Sequence, residues 1–370
     1  MVKRGLYGLL AFILVLMMAA CGSGKGGNQS QATGGTTPSE TSSGSSGEAK
    51  STPSETPQKR YVIKFSLTTS TDNHPLGMGA VKFKELVEQR SNGQFQVELY
   101  PSLQLGSLRE QIEQVQLGTT QITMAALATM TNFVEDVQLI LFPFLWPDED
   151  TMWEILNGEV GQAILANMQN EGMIGFGVWP NGFMEMTSGK KPIRSVADLK
   201  GFKMRVIPAP LLIAQYETWG AEPVPLDLSE VYTSLQQGVV DGQENPLTTI
   251  RDQRYEEVQD HLTLSNHSYQ ASIFTVNKQW FESLPADLQQ IFRDSEKEAR
   301  LYAIEQSKVL NNSILENYRS RNAIEIHELT PEASKEFEVL SKPLHEKFSK
   351  TDYQKELLQK VYQAIEAARK

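Results

Sequence analysis

The chain has 370 residues, 34 Lys plus Arg against 45 Asp plus Glu, and a formal net charge of −11 at pH 7. That length fits two or so compact units, and the acidic excess argues against a nucleic-acid partner, whose phosphates need a basic face. The single cysteine excludes a disulfide framework or a thiolate metal cage.

The cysteine has an informative position. Lys3 and Arg4 precede an apolar run from Leu6 to Ala20, too short to span a bilayer comfortably but long enough for a signal-peptide core. The run ends in Met18-Ala19-Ala20-Cys21, which resembles the lipobox of bacterial lipoproteins. Residues 1–20 are therefore expected to be a signal peptide. Cys21 is expected to be the lipidated residue that anchors an extracytoplasmic protein to the outer face of the lipid bilayer. From Gly22 to Arg60 the chain is rich in Ser, Gly, Thr and Pro and has no Leu, Ile, Val, Phe, Met or Trp. Such a segment cannot bury enough apolar surface to offset its ordering entropy. Residues 21–60 read as a tether of about 35 Å r.m.s. span.

From Tyr61 the period alternates between strand and helix. Tyr61–Leu67 reads as a strand and Thr68–Asn73 as a polar loop. A helix then starts near His74-Pro75 and stops at Ser91-Asn92-Gly93. Phe95, Val97 and Leu99 alternate as a second strand. Ser107 and Glu110 have capping-box spacing for a helix that Gly118 ends, and Ile122–Ala126 is a third strand. Three strands joined by two helices predict a βαβαβ unit with a parallel sheet. Asp148-Glu149-Asp150 reads as the charged start of a helix over Met152–Leu165. A second unit follows: a short helix at Ser195–Lys200, a strand at Lys203–Ile207, a helix at Leu211–Trp219, another from Asp227 to Gln237, and a loop after Val239-Val240. Pro285 to about Asn322 is a long charged helix, and Pro331–Lys370 is helical again.

Catalytic signatures are missing. The sequence has no His-Glu-x-x-His, no phosphate-binding loop ending in Gly-Lys-Ser/Thr and no Gly-x-Ser-x-Gly. Ser188 and Lys191 match Ser-x-x-Lys, but Pro192 restricts the lysine away from helical geometry. The five histidines, at 74, 261, 267, 327 and 345, show no metal-ligand spacing. No catalytic residue, metal site or cofactor is expected.

Five segments occur in order: Asn73-His74-Pro75, Gln104-Leu105-Gly106, Trp179-Pro180-Asn181-Gly182-Phe183, Leu199 through Val206, and Val240 through Pro246. Together they resemble the solute receptors of tripartite ATP-independent periplasmic (TRAP) transporters, in the DctP branch. The resemblance implies an α/β, two-domain, periplasmic-binding-protein-like (type II-like) fold with a long helix shared by both domains. Its domain I would comprise 61–183 plus about 271–300. Domain II would comprise 184–270 plus about 301–350, with 351–370 a C-terminal helix. It also implies a receptor without chemistry of its own, whose partners are a small carboxylate solute and the small and large integral membrane subunits. A receptor for an ATP-driven importer, a sensory lipoprotein and an extracellular enzyme share parts of this description.

Arg205 is the leading site residue. It alternates with Met204 and Val206, and a planar guanidinium can hold a carboxylate bidentately. In the resembled family the arginine of this segment anchors the ligand carboxylate. Asn245 matches that family's amide in a Gln-Glu-Asn-Pro loop. Trp179 and Phe183 are expected as apolar walls and Asn181 as a polar tip, with His74, Tyr232 and Tyr269 at the rim or on solute hydroxyls. Many resembled receptors have arginine where this chain has Met184, so a monocarboxylate such as a sugar acid or hydroxy acid is preferred over succinate-like ligands.

Overall fold

The computed structural model describes residues 59–369. The expected signal peptide, Cys21 and the tether lie outside the described residues. In chain order the elements are β1 (Tyr61–Ser66), α1 (Pro75–Arg90), β2 (Phe95–Tyr100), α2 (Leu108–Gln116), β3 (Ile122–Ala126), α3 (Leu127–Met130), α4 (Glu149–Leu156) and α5 (Glu159–Leu165). Next come β4 (Met173–Phe183), β5 (Glu185–Ser188), β6 (Lys203–Val206), α6 (Pro210–Thr218), β7 (Glu222–Pro225), α7 (Leu228–Gln236), β8 (Gly242–Asn245) and α8 (Leu247–Asp252). The chain finishes with β9 (His261–Leu264), β10 (Tyr269–Asn277), α9 (Lys278–Glu282), α10 (Ala286–Arg321), β11 (Glu325–Glu328), α11 (Pro331–Lys347) and α12 (Asp352–Ala368). Short 3-10 helices fill several of the connections.

Two mixed sheets result. One has the order β2-β1-β3-β10-β4 and the other β11-β9-β5-β8-β6-β7. The expected parallel trio β2, β1 and β3 forms, but β10 and β4 extend it antiparallel. β6, β7 and β8 form an equivalent parallel trio in the second sheet, with β5 antiparallel to β8. Local signals account for the helix ends. Ser107 and Glu110 close a capping box on α2, Asp227 and Glu230 do the same for α7, and Asp148 caps α4. The predicted helix over Met152–Leu165 is two helices, α4 and α5, that meet at Asn157-Gly158.

Sequence periodicity missed β8 for a physical reason. It is buried on both sides, yet its residues are Gly-Gln-Glu-Asn, so it carries no apolar alternation and reads as a loop. β4 holds Gly175, Gly177, Pro180 and Gly182, residues that usually mark turns. The chain passes from the first sheet to the second at Met184 and returns through residues 265–268. These two crossings are tied together: Met184 N donates to Ser268 O at 2.8 Å, and Glu185 Oε2 accepts from the backbone N–H groups of Ser265 and Asn266. The 36-residue helix α10 packs on α1 and β4 of the first sheet and reaches α8, which follows the second.

Candidate functional site

A cavity of about 490 Å³ lies where the carboxyl ends of both parallel trios converge. The first sheet contributes the loops after β1 and β2 and the end of β3. The second contributes Arg205 and Ile207 around the end of β6, Ser229 at the start of α7, and Asn245 at the end of β8. Ligands of open α/β sheets bind outside the carboxyl ends of strands, where loops and helix N-termini leave polar groups free to point inward.

Arg205 is fully buried and lines this cavity. Its register opposite Gln243 of β8 puts it on one sheet face with Gln243 and Asn245, while Met204 and Val206 turn into the apolar core on the other. Nε and Nη2 both donate to Leu226 O, at 3.0 and 2.7 Å, which fixes the plane of the guanidinium. Nη1 is buried and has no partner among the described residues. Burial pulls the Arg205 pKa below its ordinary value, with Tyr255 and Glu244 acting in the opposite direction. A guanidinium stays charged in proteins, so the result is an oriented cation whose Nη1 keeps both of its N–H donors unpaired.

The cavity collects other unsatisfied atoms. Thr69 Oγ1, Asp252 Oδ2 and Gln270 Oε1 are buried atoms of lining residues with no partner among the described residues, and His74 Nε2 is buried beside the Asn181 side chain, outside good hydrogen-bond geometry. His74 caps α1, and its Nδ1 accepts from Leu76 N at 3.2 Å. A neutral ring that accepts at Nδ1 carries its proton on Nε2, so the buried nitrogen is a donor. Burial and the nearby Arg251 cation push its pKa down to about 3, which keeps the ring neutral. Burial also raises the pKa of Asp252. Since native proteins rarely leave buried polar groups unpaired, this gathering of donors beside acceptors marks a place built for a polar ligand.

The other predicted residues divide. Asn245 lines the cavity and donates through Nδ2 to Gln243 Oε1 at 2.6 Å, on strand β8 rather than on the expected loop. Asn181 also lines it, with Oδ1 accepting from the Thr248 hydroxyl at 2.9 Å. Trp179 does not reach it. The indole is fully buried in the first sheet's core, stacked on Phe274, with Nε1 donating to Glu296 Oε1 at 2.8 Å. Residues two apart on a regular strand share a face, but Asn181 is the extra residue of a β-bulge between Pro180, opposite Ala271, and Gly182, opposite Gln270, so it faces the cavity while Trp179 stays in the core. Phe183 and Tyr269 meet edge to face at 5.1 Å; Phe183 lines a separate cavity of about 430 Å³ with Glu149 and Lys308, and Tyr269 packs on Trp153. Tyr232 lies one turn into α7 beyond the cavity and donates to Glu257.

Sequence reasoning missed Arg251, Asp252, Gln270 and Thr69. Arg251 lines the cavity from α8 and links the two halves by donating to Asn73 O, while its Nε donates to Asp252 Oδ1 at 2.9 Å. Met184, by contrast, is buried at the crossing and does not line the cavity, so the residue there says nothing direct about a second ligand charge. Thr69 belongs to the polar loop already read after the first strand. Arg251 could have been suspected from the short distance to Pro246, but nothing in the sequence marks Gln270.

Comparison with known proteins gives a consistent result. A family model described as bacterial extracellular solute-binding protein, family 7 (DctP) matches residues 65–352. The C4-dicarboxylate-binding periplasmic protein DctP of Rhodobacter capsulatus is 36% identical over 289 residues, covering 78% of this chain and 86% of that one. A TRAP periplasmic solute-binding protein from Desulfovibrio salexigens, solved with bound orotic acid, is 31% identical, with a TM-score of 0.80 over 83% of this chain and 99% of that one. The sugar acid binding protein DctPAm from Advenella mimigardefordensis, in complex with galactonate, is 28% identical, with a TM-score of 0.79 over 84% and 99%.

Proposed function

The chain belongs to the bacterial extracellular solute-binding protein family 7, the DctP family, and is a solute receptor rather than an enzyme; from that premise we propose that it captures a small hydroxylated organic acid between its two sheets. The observation that carries the reading is Arg205, which lines a cavity between strand ends and whose buried Nη1 has no partner among the described residues. A carboxylate oxygen would complete its hydrogen bonding, with Asn245 beside it as a second amide donor. At the other contacts, Thr69 and His74 would donate to solute oxygens, and Gln270 and Asp252 would accept from solute hydroxyls. An apolar acid would leave those acceptors unpaired, at about 1–3 kcal/mol each. Sugar acids and hydroxy acids meet both demands, in keeping with the relative solved with galactonate.

Contacts from both sheets to one solute would favour a closed state, because only that state makes them all. The closed receptor would deliver the solute to the small and large membrane subunits of a TRAP transporter, held near them by acylated Cys21 and the tether 21–60. Replacing Cys21 by Ser should release the protein from the membrane fraction. Retention at the membrane in that variant would remove the lipid anchor from the account.

The substrate reading is tested by thermal shift over hydroxylated monocarboxylates, C4-dicarboxylates and unhydroxylated acids, followed by calorimetry of any hit. Removing one partner of a buried charge pair costs about 3–5 kcal/mol, so Arg205→Ala should weaken binding by roughly two to four decades. An unchanged affinity would overturn the assignment.

A further inference from the structure

At the opposite end of the second sheet, three side chains from two strands distant in the chain converge. β11 lies parallel to β9 at the sheet edge, with Glu325 opposite His261 and His327 opposite Thr263. Residues two apart on a strand share a face, so Glu325, His327 and His261 project to the same side. His261 and Gly242 both pair with Ser188, which places His261 level with the start of β8, whereas the cavity lies at its far end, Asn245. His261 Nδ1 is 3.2 Å from His327 Nε2 and 3.2 Å from Glu325 Oε2, and His327 Nε2 is 3.5 Å from Glu325 Oε1. In a tetrahedral zinc site with bonds of about 2.0–2.1 Å, adjacent ligand atoms stand about 3.4 Å apart. The two imidazole nitrogens therefore stand about one tetrahedral edge apart, each is at that distance from a different oxygen of Glu325, and a turn of this exposed carboxylate brings one oxygen to both.

We propose that His261, His327 and Glu325 form a divalent metal site of the zinc type at the β9–β11 edge, with a solvent molecule as fourth ligand. Two imidazoles and one carboxylate suit zinc, nickel or copper rather than calcium or magnesium, which prefer all-oxygen shells. The metal would bind lone pairs on His261 Nδ1 and His327 Nε2, displacing the proton the two nitrogens share without it. His327 Nδ1 would then carry its own proton. Arg194 Nη2 stands 3.3 Å from that nitrogen as a donor and opposes this tautomer. Arg194 is exposed and can turn away, so it is a competitor that weakens the site and not a part of it. Binding pins β11, the strand that follows α10, to β9 and so stabilises the folded state.

The test is a titration of the purified full chain, after removal of any affinity tag, with zinc against a chromogenic chelator. Cobalt serves as the spectroscopic probe. One equivalent is expected at micromolar affinity or better, with the intense visible cobalt bands of four-coordinate geometry. At metal 100 times above the dissociation constant, the unfolding equilibrium should shift about 100-fold toward the native state. Glu325→Gln, on an exposed side chain that leaves the strand intact, should weaken zinc binding by about tenfold or more, while Arg194→Ala should strengthen it by about tenfold, in the range of changes made around metal ligands. Neither should alter binding at the solute cavity. Binding unaffected by Glu325→Gln, cobalt spectra of octahedral type, or no binding at 100 µM zinc would each overturn the proposal.

Discussion

His74 shows how one side chain can serve structure and recognition together. Its Nδ1 caps α1, its buried Nε2–H lies beside Asn181 in the cavity wall, and burial holds the ring neutral with a pKa of about 3, against an ordinary value of 6.5. Between those values the unfolded chain binds a proton that the native chain does not, so the native state loses stability as pH falls, by up to about 1.4 kcal/mol per pH unit. Above pH 6.5 the group contributes its full stabilisation. His74→Asn, which keeps a good cap, should flatten the denaturation profile between about pH 6.5 and 3 and leave it unchanged near pH 8. Equal acid slopes in the two proteins would show that His74 is not the group responsible. Arg205 makes the opposite use of burial: its charge persists, so the donors it leaves over are held ready for an anion.

Among the elements, the first turn of α1 and the loop after β1 are built as one piece. A Cβ on Gly77 would lie 1.8 Å from Ser70 O and 2.7 Å from Thr71 Cα, both backbone, so the loop would have to move. Thr68, Thr69 and Asn73 of that loop line the cavity. Gly77→Ala should therefore lower the melting temperature and weaken solute binding by about tenfold or more, since an overpacked contact costs about 1–3 kcal/mol. Full affinity in this variant would mean that the loop does not form part of the binding surface. Gly79 has a related role on the other side of α1, where a Cβ would meet the Trp179 ring at 2.4 Å. That close approach is why the indole belongs to the core joining α1, β4 and α10.

For the molecule as a whole, two strand crossings and one long helix connect the sheets. The crossings are joined through Glu185, whose buried carboxyl is raised to about 8 by desolvation and accepts from two backbone N–H groups. A hinge of this kind can bend without breaking either sheet, since the strands on both sides keep their own ladders. If capture proceeds by closure, small-angle scattering should show a smaller radius of gyration when a tight-binding acid is added, and Arg205→Ala should abolish the change. An identical scattering curve with and without a bound acid would leave a rigid receptor.

The sequence by itself determined the starts of α2, α4 and α7, because Ser107, Asp148 and Asp227 act on the helix that follows them through local hydrogen bonds, but not the break between α4 and α5 or the strand β8. It also made Arg205, Asn245, Asn181 and His74 visible, since each sits in a short segment with a recognisable residue pattern. It could not separate Trp179, a core residue, from Asn181 two positions later, nor reveal that Arg251 and Gln270 face the same cavity. Periodicity reports which residues are buried, and it says nothing of which distant residues they are buried against. Only the tertiary structure decided those pairings, because the strands that bring Gln270 to His74, or His261 to His327, are set side by side by sheet registers between segments far apart in the chain.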